Sequence, residues 1–173
     1  RRYWEAEAAQ KEAEEKAASL KCLWERERER NNVLASMEIT AEFLRARQLV
    51  YDDSSRFVFI SGGAGTGKSQ FIKYVLDQND PTICFVAPTG LAARNINGQT
   101  IHSCFSFKVA PYATHESLPA HEYLTEKFDF LRRIRILVID EISMVRSDML
   151  DLISMALAIA RKDSRPFGGV KIV

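Results

Sequence analysis

The sequence predicts an α/β fold: a parallel sheet covered by helices on both faces, preceded by a charged amino-terminal helix. Three observations carry this. Apolar runs of strand length recur at Phe57-Val58-Phe59-Ile60, at Thr82-Ile83-Cys84-Phe85-Val86 and at 134–139. Stretches with helical spacing of apolar residues separate them. Within the last run, Ile136-Leu137-Val138-Ile139 is apolar at consecutive positions, as a strand buried on both faces must be. Strands alternating with helices imply parallel neighbours joined by crossovers.

Taken in order, residues 1–32 form a segment of their own, rich in Ala, Glu, Lys and Arg and lacking Pro and Gly. Ala6, Ala9, Ala13, Ala17, Leu20 and Trp24 step by three or four, giving one weakly apolar stripe on a long helix. Glu25-Arg26-Glu27-Arg28-Glu29-Arg30 suits a solvated face. Coiled-coil pairing is one reading of the stripe. A solvated helix is the plainer one, because the stripe is mostly Ala and lacks a Leu/Ile seam. Asn31-Asn32 is the expected break, and a compact domain is expected over 38–173. Thr40, Glu42 and Phe43 open an amphipathic helix through Val50, and Asp52-Asp53-Ser54-Ser55 ends it as a turn. Beyond it the pattern predicts a strand at 57–61, a helix after Lys68, a turn at Asn79-Asp80-Pro81, a strand at 82–86 and a helix at 90–96. An irregular insertion with short helical pieces follows at 108–128, then a strand at 134–139. A long helix at 147–161 turns Met149, Leu150, Ile153, Leu157 and Ile159 toward the core.

The most specific segment is Gly62-Gly63-Ala64-Gly65-Thr66-Gly67-Lys68-Ser69, which reads G-x-x-x-x-G-K-S between a strand and a helix, the context that a phosphate-binding loop requires. Glycines let the backbone turn with positive φ and aim successive N–H groups at phosphate oxygens. The helix start, through Gln70, adds its own N–H groups. Lys68 reaches the β- and γ-phosphates of ATP as a point charge, and the Ser69 hydroxyl suits Mg²⁺. Phosphate and metal need an acidic partner. Asp140-Glu141 supplies it at the carboxyl end of the apolar run 136–139, where open α/β sheets place their ligands. Asp140 is the expected Mg²⁺ ligand, directly or through water, and Glu141 the expected general base for the attacking water.

Composition narrows the class. The 173 residues, 46% hydrophobic, suffice for one sizeable core. A net charge of +1 gives no overall basic field, so nucleic-acid binding would rest on a local surface. No apolar run is long enough to span a bilayer, and no membrane partner is expected. Cys22, Cys84 and Cys104 are odd in number and lack metal-ligand or C-x-x-C spacing; Cys84 reads as plain core, in a reducing compartment. The chain starts at Arg1 and ends in Gly168-Gly169-Val170-Lys171-Ile172-Val173, which reads as a strand just starting, so a fragment of a longer protein is expected.

Further residues fall in register with the loop and the acid pair. Ala87-Pro88-Thr89-Gly90-Leu91-Ala92-Ala93 leads to Asn97-Gly98-Gln99-Thr100-Ile101-His102-Ser103; Asp140-Glu141-Ile142-Ser143-Met144-Val145 follows, then Pro166-Phe167-Gly168-Gly169-Val170. From about residue 38 to the end, this order resembles the superfamily-one DNA helicases of the Pif-one (petite integration frequency) type, the bacterial members most closely. The resemblance implies a RecA-like P-loop domain, the first of two. Gly65, Gly67, Lys68 and Ser69 match the family's ATP loop, and Asp140 and Glu141 its Mg²⁺ ligand and base. Thr89, Gly90 and His102 match a motif that touches the backbone of single-stranded DNA, which neutral loop groups can hold without reading bases. It also implies 5′-to-3′ translocation coupled to ATP hydrolysis, roles in DNA repair, recombination and telomere maintenance, and a cytoplasmic site in a bacterium or a nuclear or mitochondrial one in a eukaryote.

Two departures accompany the resemblance. The family's adenine-contacting Gln has no counterpart in Thr40-Ala41-Glu42-Phe43-Leu44, and Gln48 is out of step. The Gly-Asp-x-x-Gln motif and second RecA-like domain with which the family continues are expected beyond Val173. Two other readings stay open. One is a different P-loop ATPase, such as a loader or a viral genome ATPase, which has no need of the 89–103 segment. The other is an inactive remnant that binds only nucleotide, or a partner through residues 1–30.

Overall fold

The computed structural model describes residues 2–36, 39–76, 78–108, 116, 118 and 124–173. Two compact units are present, Arg1–Ile39 and Thr40–Val173. In the first, helix α1 runs over Arg2–Ser36 without interruption at Asn31-Asn32. The expected break is absent because neither asparagine is followed by a Gly or Pro that would stop the helix, and Asn costs only a fraction of a kcal/mol (~0.5) in a helix interior. A Glu12–Lys16 ion pair of 2.7 Å links successive turns. Leu20 and Trp24 are exposed within this unit.

In the second unit, α2 (Ala41–Tyr51) begins where expected, its N-cap Thr40 accepting a hydrogen bond from the Phe43 N–H. α3 (Lys68–Gln70) runs straight into a π-helical turn, Phe71–Val75. The expected helix after Lys68 is thus wound wider in its second half, a form found mostly as single turns near functional sites. Then come β1 (Ile83–Ala87), α4 (Gly90–Asn95), β2 (Gln99–Thr100), α5 (Ile101–Phe105), α6 (Leu124–Arg133), β3 (Ile136–Ile139), α7 (Ser147–Arg161) and β4 (Lys171–Ile172). The sheet order is β2-β1-β3-β4, every pair parallel. β2 and α5 carry no periodic signal in so few residues. Most of 108–122 lies outside the described residues, and the part from Leu124 is regular helix, not irregular insertion.

The expected strand at 57–61 is only an extended segment. It makes one parallel bridge, Phe57 to Ile172, with Val58 N–H donating to Ile172 and Ile172 N–H to Arg56. Its neighbour β4 is two residues long, and Phe57 and Phe59 are largely exposed, so little ladder or packing holds a regular strand there.

One face of the sheet carries Cys84, Val86, Leu137 and Ile139 into a core with Ile101, Phe105, Leu131, Leu152, Ile153 and Leu157. On α7, Leu152, Ile153, Ala156, Leu157 and Ala160 are buried, whereas Ile159 is exposed, against expectation. Six residues beyond Ile153 is about 600° of rotation at about 100° per residue, which leaves Ile159 about 120° round the helix from Ile153 and outside the buried stripe. Ile83, Phe85, Ile136 and Val138 are buried on the opposite face, toward α4 and the Phe71–Ile72 turn.

A buried lysine braces the fold. Lys171 of β4 is 7% exposed. Its ammonium donates to the carbonyls of Leu49 at 2.8 Å and Val50 at 3.0 Å, and to that of Asp52, at the carboxyl end of α2. Burial pushes this ammonium below the usual lysine range, and Asp52 and Asp53 partly offset that. Lys171→Met leaves the carbonyls unsatisfied, and the expected cost is about 2–3 kcal/mol, read as a lower urea midpoint at unchanged slope.

Candidate nucleotide site

The sheet's carboxyl edge gathers most of the sequence-predicted residues. After the Phe57 segment, the chain turns through the exposed residues Gly62, Gly63, Ala64, Gly65 and Thr66. Gly65 (φ +77°) and Gly67 (φ +85°) adopt left-handed backbone that an L side chain resists. Gly67 is also crowded: an added Cβ would lie 3.0 Å from Cζ of Phe43 on α2. The Thr66 hydroxyl donates to the Gly63 carbonyl at 3.0 Å and closes the loop. The Lys68 ammonium folds back over it, donating to the carbonyls of Gly62 and Gly63 at 2.8 Å each. Gln70 is exposed at the end of α3.

The acid pair follows β3. The Asp140 N–H donates to the Val86 carbonyl at 3.0 Å, continuing the β1–β3 ladder one residue past the strand and leaving Asp140 only 9% exposed. Asp140 Oδ2 accepts from the Ser69 hydroxyl at 3.3 Å, and Oδ1 accepts from the Glu141 N–H at 3.0 Å. Glu141 itself takes a left-handed conformation (φ 55°) and is exposed. β4 lies between β3 and the Phe57 segment, yet the loop and the acid pair meet. A cleft of about 330 Å³ lies there, lined among others by Gly62, Lys68, Asp140, Glu141 and Ser143.

Two hard oxygens 3.3 Å apart, a hydroxyl and a carboxylate, fit Mg²⁺. No group of three or more His, Cys, Asp or Glu able to hold a metal occurs among the described residues.

A second group stands on the β2 side of the same edge. Ala87 of β1 is in register with Thr100 of β2, and Thr89 and His102 each lie two residues further on. Thr89 caps α4, accepting from the Ala92 N–H at 3.2 Å; Thr100 caps α5, accepting from the Ser103 N–H at 3.2 Å. Thr89 and His102 are half-buried; Gly90 is exposed, with open space where a Cβ would sit.

Sequence reasoning missed Phe43 and Lys171. Phe43 packs on Phe71, ring centroids 5.7 Å apart, as well as on Gly67, so α2 forms the outer wall of the loop. The one available signal was the aromatic residue in the first turn of α2.

A parallel α/β sheet whose carboxyl edge joins a glycine-rich G-K-S loop to an Asp-Glu pair defines the class of P-loop nucleoside triphosphatases. Comparison with known proteins narrows this, since residues 37–173 match the model of the PIF1-like helicases. The chain belongs to the PIF1-like helicase family. It is 36% identical over 120 residues to the ATP-dependent DNA helicase PIF1 of Candida albicans, covering 67% of this chain and 13% of that protein. To the human ATP-dependent DNA helicase PIF1 it is 35% identical over 119 residues, covering 67% of this chain and 18% of that protein. Among solved structures, Pif1 helicase from Bacteroides in complex with ADP-AlF3 and ssDNA superimposes with a TM-score of 0.69 at 37% identity, over 79% of this chain and 31% of that one. The fold is accordingly RecA-like. The chain spans less than a third of the length of these relatives. Among the described residues no helix is long and apolar enough to cross a membrane.

Proposed function

We propose that Thr40–Val173 is the first RecA-like domain of an ATP-dependent 5′-to-3′ DNA helicase, the part that binds and hydrolyses ATP. The observation that carries this reading is the Ser69–Asp140 hydrogen bond of 3.3 Å, which joins the phosphate loop to the acid pair. The backbone N–H groups of residues 62–69 cradle the phosphates, and Lys68 exchanges its loop carbonyls for phosphate oxygens. Ser69 and Asp140 hold Mg²⁺, which when bound neutralises charge on the β- and γ-phosphates. Glu141 orients the attacking water and takes its proton.

Single-stranded DNA is the proposed track. Thr89, Gly90 and His102 contact its backbone; in support, the register of β2, β1 and β3 puts these residues on the same edge as Asp140. The relatives' names and titles, which include ATP-dependent DNA helicase and complexes with ssDNA, support this. A second RecA-like domain beyond Val173 supplies the arginines and the other half of the track. The whole protein then works where DNA is, in bacterial cytoplasm or in a nucleus or mitochondrion, on tasks such as repair, recombination and telomere maintenance.

The test is ATP turnover by this chain, and by one extended past Val173, with and without an oligothymidine. The chain alone is expected to bind ATP–Mg²⁺, to hydrolyse it very slowly and to unwind nothing; the longer chain should be stimulated by DNA. Unwinding by residues 1–173 alone would refute the division of labour. Absence of stimulation in the longer chain would favour an unrelated P-loop ATPase.

A further inference from the structure

Cys84 is the second residue of β1 and Cys104 lies in α5, and their Sγ atoms are 3.4 Å apart in a thiol–thiol hydrogen bond. Both are buried, Cys84 at 8% exposure and Cys104 at 1%. Nothing in the nucleotide chemistry uses them. Twenty residues separate them in sequence, so no spacing rule marks them as a pair.

We propose that Cys84 and Cys104 are an oxidation site, forming a reversible disulfide that ties α5 to the sheet. The reaction balances with a hydroperoxide as oxidant. The sulfur of Cys84, the more exposed residue of the two, attacks the peroxide O–O bond, giving a sulfenic acid and one water for hydrogen peroxide. The Cys104 sulfur then displaces the hydroxyl, forming the S–S bond and releasing a second water. Two thiols lose two electrons and one peroxide gains them. A dithiol reverses the step by exchange.

The geometry says which element moves. A disulfide needs the sulfurs at about 2.05 Å, so they must close by roughly 1.4 Å. β1 is held on both sides, by β2 and by β3. α5 has only five residues, sits in no strand ladder and ends at Ser106 in a left-handed conformation (φ 54°), so although Ile101, Cys104 and Phe105 are buried it is the less tethered of the two elements. His102 stands two residues before Cys104 on that helix, and Thr100 caps it. Oxidation therefore displaces His102 relative to Thr89, whose loop continues from β1. The consequence for DNA rests on the reading of Thr89, Gly90 and His102 given above; the disulfide itself does not.

The experiment uses the full chain carrying Cys22→Ser, which removes the exposed third thiol and leaves both core residues intact. The chain is treated with hydrogen peroxide, then unfolded and alkylated. Expected is loss of both alkylatable thiols, a mass lower by two hydrogens, and a proteolytic peptide pair joined at Cys84 and Cys104, all reversed by dithiothreitol. Full alkylation of both thiols after treatment, or sulfinic acids without a joined peptide, would overturn the proposal. Oligothymidine affinity is measured on the same samples and is expected to weaken several-fold on oxidation and to recover on reduction. A joined peptide with unchanged affinity overturns the link to His102. No DNA binding by the untreated chain, nor by the chain extended past Val173, overturns the DNA reading and leaves the disulfide standing.

Discussion

Replacing Lys68 by alanine is expected to reduce ATP–Mg²⁺ affinity by about 10²-fold or more, to the limit of detection in a calorimetric titration. The ammonium already sits over the loop, 2.8 Å from two of its carbonyls, so little reorganisation is needed to bring it to phosphate oxygens. Hydrogen bonds to a charged group contribute about 1.5–3 kcal/mol each, and losing two of them amounts to two or more decades in affinity. Lys68 lies on a half-buried turn at the surface of the fold, so the melting temperature of the unliganded variant should hardly change. A variant that melts normally and binds ATP as tightly as the parent would remove the loop from the nucleotide site.

Glu141→Gln is expected to separate binding from chemistry. The side chain is exposed at the edge of the cleft and accepts no hydrogen bond from the loop among the described residues, while its N–H secures Asp140 through the backbone, which glutamine preserves. ATP–Mg²⁺ affinity should stay within about a factor of three, since a neutral isostere removes no phosphate contact. Hydrolysis should fall by about 10²–10⁴-fold, the range contributed by a positioned general base. Phosphate release in a single turnover is the measurement, best made on the DNA-stimulated longer chain, where the parent rate leaves room for the drop. Equal losses in affinity and rate would assign Glu141 to binding, and an unchanged rate would move the base elsewhere.

Much of this site was legible in the sequence because its constraints are local. A loop that needs positive φ writes itself as Gly65 and Gly67, and a strand buried on two faces writes itself as Ile136 to Ile139 with its acids directly after. The start of α2 was legible for the same reason, Thr40 being a side chain that caps a helix three residues ahead. The rest depends on distant partners. Whether 57–61 becomes a regular strand is decided by β4, more than a hundred residues away and only two residues long. The apolar spacing after Ser69 says helix but not that the turn opens to a π form. Ile159 looked inward because it is apolar, although the phase of α7 points it out. Lys171 reads as a surface lysine until α2 is seen to present three carbonyls to it. In α1 the paired asparagines read as a stop, yet no turn chemistry backed them.

The Lys171 brace has a mechanical consequence. It fastens β4, which lies against the strand leading to Asp140, to α2, whose Phe43 lies on Gly67. Two elements of the nucleotide cleft's walls are thereby tied to each other through one side chain. On the helicase reading proposed above, a parting of these two walls is the motion that the Lys171 hydrogen bonds oppose.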